Sequence, residues 1–126
     1  FYWMSDDGAN IRELTAAPQV RHNFGAISKD GTRIYYASNK RDRNWFDIYS
    51  MTIADGKEEM LFQNDGSNSV AAVSDDGSKL IISRASIRFS LDNDLYLLDA
   101  KTKKAEHLTA HDAATQYGDV EFLDNN

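Results

Sequence analysis

An internal repeat with a period close to 47 residues is the feature that most restricts the fold of this chain. Tyrosines and leucines in short apolar runs recur at intervals of 47 along the sequence. They are Tyr2, Tyr49 and Tyr96, and Leu14, Leu61 and Leu108. Markers that keep register over two periods seldom arise by chance, so the repeat defines a structural unit.

A third marker is a turn pattern of the form apolar-Ser-x-Asp-Gly. It occupies residues 27–31 and returns at 73–77, displaced by 46, while a third copy at 122–126 lacks the Ser and the Gly. A short hairpin needs a residue with positive φ, which Gly adopts without strain, and the preceding Asp can hydrogen-bond its own turn. These segments are therefore predicted to be turns between antiparallel strands.

Apolar residues within each period alternate or form short β-rich bursts, and the spacing typical of helices is absent. Each full period thus predicts four strands, A to D. The predicted strands are 23–28, 33–38, 46–52 and 59–62 in the first full unit, and 70–74, 79–84, 94–99 and 105–109 in the second. Strands C and D of an earlier unit are predicted at 2–4 and 11–15, and strand A of a later unit at 120–123.

Four antiparallel strands in about 47 residues match one blade of a β-propeller, whose repeats run from about 40 to 50 residues. The predicted fold is all-β: a partial propeller of four-stranded antiparallel blades, forming one segment over 1–126. It divides into the end of a blade at 1–19, full blades at 20–65 and 66–112, and the start of another at 113–126. Since a ring takes about 4–8 blades, we expect either a longer natural protein or assembly of copies.

The charge pattern argues against a nucleic-acid surface. Lys and Arg number 14 against 20 Asp and Glu, scattered in ones and twos, whereas phosphate binding needs a concentrated basic face. No apolar run reaches the roughly 20 residues that span a bilayer, so we expect no membrane partner. The absence of cysteine is compatible with either the bacterial periplasm or the cytoplasm.

Nothing in the sequence has the pattern of a catalytic or metal centre. The nucleophile elbow Gly-x-Ser-x-Gly does not occur, and His22, His107 and His111 are each interpreted as surface or packing residues. The run at 92–94 lacks the Gly and Glu of a calcium loop and is interpreted as a polar connection between strands B and C. We therefore expect no catalytic residue, no metal and no cofactor in this chain.

Three residues are the candidates for contact with a substrate or partner. Trp45 follows a charged stretch between strands B and C of the first unit, where it could hold that connection or face a partner. Arg88 and Phe89 lie in the long connection between strands B and C of the second unit. Long loops of rigid scaffolds are where partners are most often met.

The repeat resembles the propeller repeat of TolB-like proteins and of serine peptidases of the prolyl oligopeptidase family. The matching stretches are 27–38 with Asp47-Ile48-Tyr49, and 73–84 with Asp94-Leu95-Tyr96, ending at Leu108-Thr109. The family usually has Pro after the Ser of the turn, where this chain has Lys29 and Asp75.

The peptidase resemblance implies a non-catalytic segment of a bacterial hydrolase that gates and positions a peptide substrate. Its partners would be the remaining blades and a C-terminal α/β-hydrolase domain of the same protein. The TolB-like resemblance implies the alternative, a protein-binding propeller scaffold of the periplasm without enzymatic activity. Resemblance at the level of a fold does not choose between these functions.

Overall fold

Ten short β-strands form the regular structure of residues 1–123, which are the residues that this computed structural model describes. No helix among these residues has the length and apolar character needed to cross a bilayer. In chain order the strands are β1 (Tyr2–Met4), β2 (Ile11–Glu13), β3 (His22–Ile27), β4 (Arg33–Asp42), β5 (Trp45–Thr52), β6 (Glu58–Phe62), β7 (Ser67–Val73), β8 (Lys79–Ala85), β9 (Asn93–Asp99) and β10 (Ala105–His107).

The strands form two blades and a hairpin. Strands β3 to β6 pair in order as one antiparallel blade, and β7 to β10 pair in order as the next. A single parallel pair, Phe46 with Ser67, links β5 to β7 and so joins the blades. The β1–β2 hairpin stands before them as a separate two-stranded sheet. The chain is a partial β-propeller, as the repeat predicts.

Most predicted strands are present in the structure, although several begin or end at different residues. Strand β4 extends to Asp42, which pairs with Trp45 across a turn at Arg43 and Asn44. The stretch before Trp45, predicted as a charged loop, is therefore a tight hairpin. Asn93, predicted as the last residue of a connection, is the first residue of β9, because it pairs with Ala85.

One predicted strand does not form. Residues 120–123 are irregular, and their predicted turn at 124–126 lies outside the described residues. A β-strand needs a hydrogen-bonded partner, and none of the ten strands of residues 1–123 pairs with this segment. The apolar pattern of Val120 and Phe122 alone is therefore not enough to fix this segment as a strand.

The turns that carry the repeat marker have the predicted geometry. Gly31 and Gly77 have φ of +70° and +68°, and each donates its N–H to the carbonyl of the Ser three residues earlier. The carboxylate of Asp76 accepts hydrogen bonds from the backbone and hydroxyl of Ser78 and from the Ser74 hydroxyl. These bonds, led by that of the Ser78 backbone, lower the pKa of Asp76 to about 2.

Strand β4 is buried on both faces, which explains its unbroken apolar run. Its alternate residues enter two different cores, since successive side chains of a strand point to opposite sides. Tyr35 and Ala37 join the core between the blades, with Ile48 and Leu61 from the first blade and Val70, Leu80, Ile82 and Leu98 from the second. Ile34 and Tyr36 join a second core with Tyr49, Met51 and Ile53, against which Phe1 and Leu14 pack.

The innermost strands of the two blades, β3 and β7, approach each other closely at Gly25. A Cβ placed there would lie 2.5 Å from the Cβ of Val70 and 3.0 Å from the carbonyl oxygen of Tyr35. The register of β3 against β4 also shifts between Phe24 and Ala26, so Gly25 lies in a β-bulge. The absence of a side chain at this position lets the second blade pack on the first.

We expect Gly25→Ala to lower the free energy of unfolding by about 1–3 kcal/mol, because the new methyl group must push β7 away from β3. Urea denaturation followed by circular dichroism measures this change. Gly118→Ala is the matched control, since a Cβ at Gly118 meets no atom within 4 Å. Equal effects of the two substitutions would contradict the close approach of the strands.

Candidate functional site

The connections between strands B and C of the two blades differ although the blades share one repeat. The first is the two-residue turn after Asp42, and the second is a loop over residues 86–92. Both connections lie at the same end of the blades, because β4 and β8 are equivalent strands that run in the same direction. The loop of residues 86–92 is the feature that the repeat does not explain.

Loop 86–92 is closed at its base and exposes apolar side chains along its length. The Ser86 N–H donates to the carbonyl of Asp92 at 2.9 Å, and the Ser86 hydroxyl accepts from the Arg88 and Phe89 N–H groups. Ile87, Phe89 and Leu91 are 85%, 59% and 74% exposed. Leu91 has φ of 59°, a left-handed conformation that is uncommon for residues other than Gly, Asn and Asp.

Two histidines and two aspartates meet beside this loop, and we call Asp92, Asp94, His107 and His111 the His–Asp cluster. His111 Nε2 lies 2.8 Å from Asp92 Oδ1, and its Nδ1 lies 2.7 Å from the Thr109 carbonyl oxygen. His107 Nε2 lies 2.7 Å from Asp94 Oδ1, and its ring stacks on Tyr96 at 4.6 Å between centroids. The cluster thus joins the loop, β9, β10 and the segment that follows β10.

The two ring nitrogens of His111 both face acceptors, which favours the imidazolium. The hydrogen bond to the Thr109 carbonyl, followed by that to the Asp92 carboxylate, raises the pKa of His111 above its ordinary value. The Thr115 N–H and His111 in turn lower the pKa of Asp92. With both nitrogens donating, neither has a lone pair for a metal ion. Among residues 1–123, no group of three or more His, Asp or Glu side chains is placed to hold one.

The segment 109–117 is held against the second blade mainly by Asn93 and Asp92. The Asn93 side chain donates to the Tyr117 carbonyl at 3.0 Å and accepts from the Tyr117 N–H at 2.7 Å. The Asn93 N–H donates to the Thr115 carbonyl at 3.1 Å, and Asp92 accepts from the Thr115 N–H at 3.0 Å. The segment therefore has a defined position beside loop 86–92 although it contains no strand.

A cavity of about 250 Å³ lies between the loop and this segment, lined by Arg88, Phe89, Asp94, His107 and His111 among others. Binding pockets for small molecules usually have volumes of about 300–1,000 Å³. This cavity is smaller, and the Ile87 and Leu91 side chains of the loop do not line it but are exposed to solvent. The geometry favours contact with the surface of another protein over enclosure of a small ligand.

A larger cavity of about 620 Å³ opens where the β1–β2 hairpin meets the first blade. Its lining is largely apolar, with Trp3, Ile11 and Ile53, and the charged side chain that lines it is Arg12. The Arg12 guanidinium donates to the carbonyl oxygens of Ile53 and Ala54, so it is already used to tie the hairpin to the blade. This cavity therefore marks the packing of the hairpin on the first blade, and its one charged side chain is already hydrogen-bonded within the chain.

In the first blade, an ion pair between Arg41 and the buried Asp47 lies beside the connection between β4 and β5. Arg41 donates two hydrogen bonds to Asp47, at 2.6 and 3.1 Å, and one to Asp65 at 2.8 Å. The Asp47 side chain is fully buried and also accepts from the Asn64 N–H. Arg41 thus ties the end of β4 to β5 and to the connection between β6 and β7.

We expect Arg41→Met to lower the free energy of unfolding clearly more than a substitution in an exposed ion pair does, because it leaves the buried Asp47 carboxylate without its cation. Lys29→Met is the control, since the Lys29–Asp75 pair is exposed and such pairs contribute about 0–1 kcal/mol. Chemical denaturation of both variants gives the comparison. Similar losses in the two would contradict the structural role of the Arg41 ion pair.

The structure brings together two of the three residues predicted as contacts. Arg88 and Phe89 lie in loop 86–92 and line its cavity. Trp45 lies in the other blade, half-buried at the start of β5, and does not line that cavity. Contact with a partner through any of the three stays a prediction.

Sequence reasoning missed the His–Asp cluster, although His107 and His111 lie close in sequence. The spacing of His111 and Asp92 gave no signal, because a connection without regular structure brings them together. His22 differs from both. Its ring packs between Phe1 and Tyr36, neither nitrogen has a hydrogen-bond partner among residues 1–123, and burial lowers its pKa.

Comparison with solved structures supports the propeller. The chain is similar to putative TolB from Agrobacterium tumefaciens, with a TM-score of 0.69 and 23% identity over 87% of this chain and 37% of that protein. It is similar to TolB from Acinetobacter baumannii, with a TM-score of 0.66 and 18% identity over 86% and 26%. Oligogalacturonate lyase from Vibrio parahaemolyticus gives 0.68 and 21% over 87% and 29%.

These likenesses show the fold of the chain and not its activity. No family model and no curated protein matches the sequence. The chain spans between 26% and 37% of the length of the three structures named. The predicted link to TolB-like propellers is supported in fold, and the predicted link to prolyl oligopeptidases stays a prediction.

Proposed function

We propose that this chain is a non-catalytic propeller segment that binds a protein partner through loop 86–92. The observation that carries the proposal is the exposure of Ile87, Phe89 and Leu91 on a loop whose base is closed by hydrogen bonds. Exposed apolar groups clustered on one surface mark sites of protein association. A loop held at its base also loses less conformational entropy on binding than a free one.

The chemistry of the loop defines the kind of partner. Phe89 and its apolar neighbours suit an apolar patch, and Arg88 suits a carboxylate beside that patch. Among residues 1–123, no salt bridge involves Arg88, so its charge is available to a partner. Aromatic and arginine side chains are also the types most enriched at the centres of interfaces. We therefore infer a protein surface with apolar and acidic residues side by side.

A role in gating a peptidase rests on the sequence resemblance alone. The TolB-like alternative accounts equally for the blade pattern and requires no catalytic domain elsewhere. The likenesses to two TolB proteins support a scaffold of this kind. Loop 86–92 is thus proposed as a docking element, and the blades as the frame that positions it.

The test begins with a photo-crosslinking amino acid at position 87 of the protein as its gene encodes it, expressed in its native cell. The captured protein is identified, purified and titrated against the wild type. We expect Phe89→Ser and Arg88→Glu each to raise the dissociation constant about tenfold to hundredfold, because both remove central contacts.

Ile27→Ser is the matched control, because Ile27 is an exposed apolar residue at the far end of β3, beside the turn to β4. It should leave the dissociation constant unchanged, and all variants should keep the wild-type unfolding midpoint. An unchanged constant for Phe89→Ser would overturn the proposal. So would capture of the same partner with equal yield from position 27.

A further inference from the structure

We propose that His111 is a pH-dependent latch that fixes segment 109–117 against loop 86–92. The latch itself rests on the geometry of the His–Asp cluster. Its consequence for binding rests on the function proposed above, because it controls the order of the same surface.

The latch follows from the number of protons that His111 carries. Its Nδ1 faces the Thr109 carbonyl oxygen at 2.7 Å, and its Nε2 faces the Asp92 carboxylate at 2.8 Å. Both acceptors need a donor, and only the doubly protonated imidazolium has two N–H groups. A neutral His111 must lose one of these hydrogen bonds.

The surroundings of His111 also favour its positive charge. Asp92 lies at hydrogen-bond distance, and Asp94 Oδ1 lies 3.5 Å from Nδ1 on the other side. The side chain is only 16% exposed, so water screens these interactions incompletely. The charged or titratable groups around it are Asp92 and Arg88 from the loop, Asp94 from β9, His107 from β10, and Asp112 and Tyr117 from its own segment.

Loosening His111 affects both the segment and the loop through Asp92. The Asp92 carboxylate accepts from the Thr115 N–H, and the Asp92 carbonyl closes the base of the loop by accepting from the Ser86 N–H. A change in the position of Asp92 therefore releases the segment on one side and the loop on the other. Leu91, with its left-handed backbone, is the neighbour that would relax first.

The direction of the pH dependence follows from the protonated form. The pKa of His111 is raised in the folded state, so the contribution of the latch is complete below the ordinary histidine value of about 6.5. It is lost as the pH rises through the raised value. Asp92, whose pKa is lowered, stays ionised throughout this range. The latch is thus closed in mildly acidic solution and opens in alkaline solution.

Hydrogen exchange of the Thr115 and Tyr117 amides tests the latch in the protein as its gene encodes it, without any partner. Protection factors are compared at about pH 5.5 and about pH 8.5, on either side of the histidine pKa, after correction for the intrinsic rate of exchange. We expect a loss of protection of about tenfold at the higher pH, because one hydrogen bond to His111 is lost.

His111→Gln should give equal, low protection at both pH values, since glutamine does not titrate. His107→Gln is the matched control, because His107 is hydrogen-bonded to Asp94 and makes no hydrogen bond to segment 109–117. In this variant the protection of the Thr115 and Tyr117 amides should keep the wild-type pH dependence. Protection that is independent of pH in the wild type overturns the latch. A pH dependence that survives in His111→Gln overturns it as well.

The two proposals fail separately. If exchange shows the latch but Phe89→Ser binds the partner normally, the proposed function is wrong and the latch stands. If Phe89→Ser loses binding but exchange is independent of pH, the docking loop stands and the latch is wrong. Where both hold, we expect the wild type to bind its partner about tenfold more weakly at the higher pH, and His111→Gln to show no such change.

Discussion

The packing of one blade's face on the next is the interaction on which the rest of this structure depends. Its effect is seen by comparing the exposure of residues at the same position of the repeat. Leu61 and Leu108 occupy the same position of the repeat, yet Leu61 is 3% exposed and Leu108 is 47% exposed. The second blade covers Leu61, and no described element covers Leu108 to the same degree. Burying a leucine contributes about 1.5–3 kcal/mol, so a covering blade decides much of the stability of its neighbour.

The proposed binding surface lies where the two blades depart from the repeat. The two blades have equivalent strands and equivalent turns at Gly31 and Gly77, but their connections between strands B and C differ. The first is a two-residue turn beside the buried Arg41–Asp47 ion pair, and the second is loop 86–92 beside the His–Asp cluster. A rigid frame with one variable loop can present a partner surface without changing its core.

Much of the fold could be predicted because strands and turns depend on local patterns. The 47-residue repeat and the Ser-x-Asp-Gly turns were sufficient to predict most of the strands and their hairpin turns. The extension of β4 to Asp42 was not predicted, because the charged residues at its end have a loop-like pattern. Arg41 stabilises this part of the strand by its hydrogen bonds to Asp47. Residues 120–123 have a strand pattern, but no strand among residues 1–123 pairs with them.

The candidate site could be predicted only in part. Arg88 and Phe89 were chosen as candidate contacts because their loop is long, and that role stays a prediction. The contact of His111 with Asp92 depends on the path of an irregular segment between residues 109 and 117, and no periodicity in the sequence encodes such a path. Contacts of this kind become visible only when tertiary structure fixes the chain.

The most direct test of the packing between the blades is a methyl NOE experiment on the protein as its gene encodes it, with labelled Val, Leu and Ile. Packing between the blades predicts cross-peaks from the Val70 methyl groups to the Gly25 Hα protons, and from Leu61 to the Leu80 and Leu98 methyl groups. Cross-peaks within each blade and none between the blades would contradict the account.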